Sequence, residues 1–194
     1  PLSIIQIVFL SGKSGMGAYS KGKSIRKRDK SVYSREEAGH WEADTVVSGQ
    51  GKSKACFATL AERKTRFYIA MKMSDRRAET MENAIVAALS AFPPQLVKTI
   101  TCDRGTEFAN WRRIEERLHC EVYFADPYCA WQKGTNENLN GLLREFYPKG
   151  RNLSRVAPAT LKRNLALLNA RPRKVLYFHS AQELWDFELN SCCT

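Results

Sequence analysis

Hydrophobic positions recur at two intervals along this chain, and the interval changes in an ordered way from Gly39 onward. The stretch HWEADTVV, His40 to Val47, alternates apolar and polar residues and is rich in Trp, Thr and Val, which predicts a strand. Ala55 to Leu60 predicts a second strand, and the polar turn ERKTR leads to a third at Phe67 to Met73, so the three form an antiparallel meander. The spacing then becomes helical: Ala78, Met81, Ile85, Leu89 and Phe92 share one face, with Ser74 or Asp75 as cap and Pro93-Pro94 as terminator. Val97 to Cys102 reads as a short buried strand ending at Asp103. Ala109 to Leu118 is a charged helix, Glu121 to Phe124 a strand, and Gly134 to Phe146 a helix for which Thr135 is a suitable cap. A last helix runs from Pro158 to Asn169, with Leu161, Leu165 and Leu168 on one side. Three strands followed by alternating helices and strands predict an α/β domain with one mixed sheet.

The 194 residues suffice for one domain with a full core. Residues 1–38 lack a periodic pattern and read as a flexible, irregular basic arm; residues 39–174 form the core and 175–194 a C-terminal tail. No apolar run reaches the ~18 residues that a membrane span needs. Six cysteines show neither C-x-x-C nor zinc spacing and are expected to be reduced and without a catalytic role. Net charge is +11 and unevenly spread: residues 1–38 carry +5 and residues 139–174 carry +8, around a nearly neutral block. Such flanks suit a scaffold that grips a polyanion.

The stretch GAYSKGKS, Gly17 to Ser24, satisfies the phosphate-loop pattern G-x-x-x-x-G-K-[ST]. Its context does not. Six residues separate Leu10 from Gly17, and the residues after Ser24 offer no apolar face on which a helix could dock. The tract from Ser11 to Ser24 is so rich in Gly, Ser and Lys that the match is attributed to composition, and no nucleotide cofactor is expected.

Three carboxylates stand out by position. Asp44 lies mid-strand among apolar residues, Asp103 follows the carboxyl end of a strand, and Glu137 occupies the first turn of a helix. Carboxylates from separate elements suit a pair of Mg²⁺ ions for phosphoryl transfer. Each also has a plainer reading: Asp44 paired with an arginine, Asp103 opening the turn DRGT, and Glu137 stabilised by its helix dipole. Leu139, Leu142, Leu143 and Phe146 form the apolar stripe of the Glu137 helix, while Glu137, Asn140, Gly141 and Arg144 form the opposite one. Glu137 belongs to a site only where that polar stripe borders the cleft.

The segments HWEADTVV, TLAERKTRFY, TCDRGTEFAN, YFADPYCAWQKGTNENLNGLLREFYPKG and LNARPRK resemble, in this order and at these separations, the catalytic domain of bacterial DDE transposases of the Insertion Sequence Thirty family. The resemblance covers about Gly39 to Lys174. It implies an α/β, RNase H-like fold, a mixed five-stranded sheet flanked by helices. It also implies Asp44, Asp103 and Glu137 as the catalytic and metal-binding triad, holding two Mg²⁺ or Mn²⁺ ions. The implied chemistry is cleavage at transposon ends, then attack of the freed 3′-hydroxyl on target DNA. Candidate DNA contacts are Trp131, Lys133, Asn136, Asn138 and Asn140 beside Glu137, with Arg63, Lys64, Arg144, Lys149, Arg171, Arg173 and Lys174. Transposon-end and target DNA, a homo-oligomer, no membrane, and a cytoplasmic, nucleoid-associated site of action complete the expectation. Arg104 departs from the Asn common after the second Asp, FHSAQELWDF replaces a segment expected to hold Thr-Pro, and residues 1–38 offer no counterpart of the family's N-terminal helix-turn-helix. The competing readings are a catalytically inactive remnant that only binds DNA, and an RNase H-like nuclease with another substrate.

Overall fold

A computed structural model of the chain describes residues 22–192. Among the described residues six strands build one mixed sheet: β1 (Lys23–Ser24), β2 (His40–Val47), β3 (Cys56–Glu62), β4 (Tyr68–Met73), β5 (Thr99–Cys102) and β6 (Glu121–Phe124), in the order β1-β6-β5-β2-β3-β4. β2, β3 and β4 are the antiparallel meander that the alternation predicts. β5 lies parallel to β2, and β6 parallel to β5. Parallel neighbours need crossovers, which α1 (Ala78–Leu89) and α2 (Trp111–Leu118) supply.

Successive strand residues point to opposite faces. Trp41 and Ala43 of β2, with Ala58 and Leu60 of β3, join Met81, Ile85 and Leu89 of α1 in one buried cluster. Val46, Phe57 and Ala61 pack on the other face with Leu139 and Leu143 of α3 (Gly134–Phe146) and Leu161 and Leu168 of α4 (Pro158–Ala170). Asp44 has the parity of Val46, so its side chain leaves β2 on the α3 side.

The sheet has one strand more than the five expected. β1 pairs in parallel with β6, Lys23 beside Tyr123 and Ser24 beside Phe124. Gly22 makes this approach possible, because a Cβ there would lie 2.3 Å from a ring carbon of Phe124. The described part of the expected flexible arm is accordingly packed, with Ile25, Val32 and Ala38 all buried. Three apolar residues spaced six or seven apart give no periodic signal, which is why the sequence reads as irregular there. Most of the phosphate-loop match, Gly17 to Lys21, lies outside the described residues. Its Lys23 is a strand residue whose ammonium lies 3.1 Å from Glu115 and 3.2 Å from Glu121.

The segment after Lys174, expected as a tail, contains α5 (Ala181–Ser191). Ser180 and Glu183 form a reciprocal capping box, and Trp185 is buried against Trp41, Phe67 and Phe92. Two expected caps are also displaced. α1 begins after Arg77, and Asp75 instead accepts from the Arg77 N–H and the Thr80 hydroxyl. α3 has no side-chain cap of its own: the Thr135 hydroxyl accepts from Arg66, while Glu42 of β2 accepts the Asn136 N–H at 2.8 Å. Among the described residues no helix is long and apolar enough to cross a membrane.

Candidate active site

The parallel register pairs His40 with Thr99, Trp41 with Ile100 and Glu42 with Thr101. Continued by two residues, it sets Asp44 level with Asp103 on strands about 4.8 Å apart. The ammonium of Lys133 lies 3.3 Å from Asp44 Oδ1 and 3.0 Å from Asp103 Oδ2. The remaining oxygens are also held. Asn140 donates to Asp44 Oδ2 at 3.0 Å, and the Gly105 N–H donates to Asp103 Oδ1 at 2.8 Å. Asp44 therefore meets Lys133 and Asn140 rather than an arginine of a neighbouring strand. Asp103 opens the DRGT turn with one oxygen and presents the other to the cleft. Burial pulls the Lys133 pKa down, but attraction to Asp44 and Asp103 outweighs it and leaves the ammonium above its ordinary value.

Glu137 is exposed and lines a cavity of about 360 Å³ together with Asp44, Asp103 and Lys133. The polar stripe of α3 thus borders the cleft. From the same stripe Asn140 reaches Asp44, and Arg144 donates to the carbonyls of Val47 and Tyr147.

The anchoring of α3 runs through Glu42, which is fully buried. One of its oxygens accepts the Asn136 N–H, the other accepts from Arg63, and Asn136 Nδ2 donates back to the Glu42 carbonyl at 2.7 Å. Three residues expected as DNA contacts have partners within the protein. Arg63 and Asn136 are buried as the link between β2, β3 and α3, and Lys133 is committed to the two aspartates. Lys64 pairs with Glu188 at 2.6 Å, and Arg173 is partly buried and donates to the Leu168 carbonyl. Trp131, Asn138, Lys149, Arg171 and Lys174 are exposed.

Sequence reasoning passed over two residues. Glu107 is buried beside the DRGT turn; one oxygen accepts from the Thr45 hydroxyl at 3.0 Å and the other has no hydrogen-bond partner. A Cβ on Gly105 would lie 2.4 Å from Glu107 Oε2 and 2.9 Å from Asp103 Oδ1, so glycine lets both carboxylates crowd one turn. Tyr128, held at φ 60°, is fully exposed and lines the same cavity as the carboxylates. Its neighbour Pro127 favours a turn but gives no hint of an unpacked ring.

The donor set suits a hard divalent cation. Asp44 and Asp103 already share one positive charge, the Lys133 ammonium, so their oxygens converge on a position that a cation can take. Among the described residues no three His, Cys, Asp or Glu side chains converge on one point, so Glu137 faces the cavity without joining that pair.

Residues 34–130 match the integrase core domain. The chain belongs to this family. The match contains Asp44 and Asp103 and ends before Glu137. Curated relatives include the probable transposase of insertion-like sequence element IS1161 from Streptococcus salivarius, 37% identical over 165 residues, spanning 85% of this chain and 46% of the relative. The transposase of insertion sequence element IS30A from Escherichia coli K12 is 35% identical over 173 residues, spanning 89% of this chain and 44% of the relative. These relatives bear out the resemblance drawn from the motifs. The chain spans about half the length of the curated relatives it matches. Among solved structures, the integrase core is similar to the catalytic core domain of BIV integrase, with TM-score 0.62, 16% identity, and coverage of 81% of this chain and 99% of that one. The HTLV-2 integrase catalytic core solved with magnesium gives TM-score 0.57 at 14% identity, covering 76% of this chain and 95% of that one. The fold is therefore RNase H-like.

Proposed function

We propose that this integrase core is the catalytic domain of a DDE transposase, cutting DNA at transposon ends and joining the freed 3′-hydroxyl to target DNA. The observation that carries the reading is the side-by-side placement of Asp44 and Asp103 about one shared cation position, with Glu137 on the same cavity. Asp44 and Asp103 would hold one divalent ion, and Glu137 with one of them a second. Two Mg²⁺ or Mn²⁺ ions so bound would activate a water or 3′-hydroxyl and stabilise the leaving oxygen. The chain's own groups prepare that place. Asn140 and the Gly105 N–H fix which oxygens face the cleft, and Lys133 offsets one of the two charges of the aspartate pair. Tyr128 and Trp131 offer exposed rings on which unpaired bases can stack. Asn138, Lys149, Arg171 and Lys174 are exposed and would meet backbone phosphates. Action on paired ends would require self-association, and the substrate places the protein in the cytoplasm at the nucleoid.

Supercoiled plasmid incubated with Mn²⁺ tests the reading, with Asp103→Ala as control. Nicking that needs both the metal and Asp103 is the expected result. DNA binding without nicking would leave a binding protein in place of an enzyme, and cleavage confined to the RNA of a hybrid would reassign the substrate.

A further inference from the structure

A second cavity, of about 260 Å³, opens on α3 next to the carboxylate cleft. Lys133 and Glu137 face the first cavity, whereas Gly134 and Asn138, each one residue further on, face the second. Successive helical residues are turned by about 100°, so the two cavities flank the same first turn of α3.

Three guanidinium groups, from Arg35, Arg66 and Arg173, line this second cavity, and no acidic residue does among the described residues. Arg66 donates to the Arg63 carbonyl and the Thr135 hydroxyl. Arg173 donates to the Leu168 carbonyl, while its buried Nε has no partner. Arg35 has no hydrogen bond or ion pair within the described residues. Arg35 and Arg66 sense Glu42, which is already committed to Arg63 and α3, and Arg66 also senses Glu62, which accepts from Gly39 and Thr65. Burial and like-charge repulsion therefore act together. Arg66 is pulled down to about 10, by burial first and then by Arg35. Burial followed by the Arg63 charge lowers Arg35, and burial followed by Arg171 lowers Arg173. Like charges gathered partly out of water are costly, and an anion relieves that cost. Planar guanidinium forks match the oxygens of a phosphate, the anionic group of DNA.

We propose that the cavity formed by Arg35, Arg66, Thr135 and Arg173 seats a backbone phosphate of bound DNA, on the flank of α3 next to the one that faces the carboxylates. The inference rests on the DNA substrate proposed above and gives that DNA a second fixed point. With both flanks of one helical turn engaged, a strand crossing the start of α3 is held on either side of Glu137.

Fluorescence anisotropy of a labelled duplex, titrated across a range of salt concentrations, tests this with the parent chain, Arg35→Ala, Arg35→Lys and Arg173→Gln. Arg35→Ala is expected to flatten the slope of log K against log salt by about 0.9 and to weaken binding about eightfold near ~0.1 M salt, the loss of one phosphate contact. Arg35→Lys, which keeps the charge, should retain most of the slope, and Arg173→Gln should repeat the loss. Inorganic phosphate should raise the melting temperature of the parent over chloride at equal ionic strength, and not that of Arg35→Ala. Lys162→Ala, removing an exposed cation on α4 outside the cavity, is the reference for a non-specific loss of charge. Unchanged slopes in folded Arg35→Ala and Arg173→Gln, with the parent still binding DNA, would overturn the cavity assignment alone. A parent chain that does not bind DNA would overturn the proposed function, and this inference with it.

Discussion

Replacing Lys133 with methionine removes the ammonium that Asp44 and Asp103 share while keeping a side chain of similar length. In the parent chain a divalent cation entering between these carboxylates must displace contacts at 3.3 and 3.0 Å. Charge-assisted hydrogen bonds contribute about 1.5–3 kcal/mol each when well buried. Here Lys133 is only 9% exposed, but Asp44 is 29% and Asp103 46% exposed, so water screens the acceptor side. A total of roughly 1.5–3 kcal/mol for both contacts is therefore the appropriate scale. Because about 1.4 kcal/mol is a factor of ten, Lys133→Met should bind Mn²⁺ roughly tenfold to a hundredfold more tightly. Electron paramagnetic resonance of free Mn²⁺, or calorimetry, reads this without any DNA. Asp103→Asn in the same background should abolish the gain. Unchanged or weaker Mn²⁺ binding by Lys133→Met would refute the idea that the ammonium stands where the cation goes.

Two further outcomes follow from groups far from the cleft. Trp185→Ala should cost about 3–5 kcal/mol, read as a lowered urea midpoint, because the indole packs on Trp41, Phe67 and Phe92 at 5.3, 5.1 and 5.0 Å. Trp185→Phe should cost less, since it also removes an indole N–H that has no partner; a loss below about 1 kcal/mol for Ala would place α5 outside the cooperative unit. His40 is buried, which lowers its pKa below the ordinary 6.5 despite its contact with Glu37. The unfolded chain then takes up the proton more readily, so stability is full above pH 6.5 and declines as pH falls from there toward the folded value. Urea unfolding at a series of pH values should show that decline, and it should be shallower in His40→Gln.

The strands and helices of the core were legible because each carries its own period. β6 and α3 lie where alternation and helical spacing set them, and β2 does too. The two aspartates were legible as well, since a charge in mid-strand and another at a strand's end conflict with their surroundings. What the pattern did not give was burial decided between elements. Arg63, Asn136 and Lys133 look like surface residues in a basic, polar motif, and only the approach of β2 to α3 puts them inside. Glu42 and Asp44 share one face of β2, and nothing local says that the first anchors a helix while the second faces a cleft. The S-x-x-E of Ser180 to Glu183 went unread, so α5 was expected as a tail, and a single tryptophan gave no sign of which surface it would enter.

The attachment of Asn136 to Glu42 relieves the segment between β6 and α3 of a duty. Glu137 follows a residue bonded directly to the strand that carries Asp44, so their relative placement is set by that junction and not by the length or sequence of residues 125–132, the stretch before Lys133. That connection can be lengthened, exchanged or bent around a substrate while the acid at the start of the helix stays in step with the acid on the strand. Variation in reach and target choice can then accumulate in the connection without retuning the chemistry.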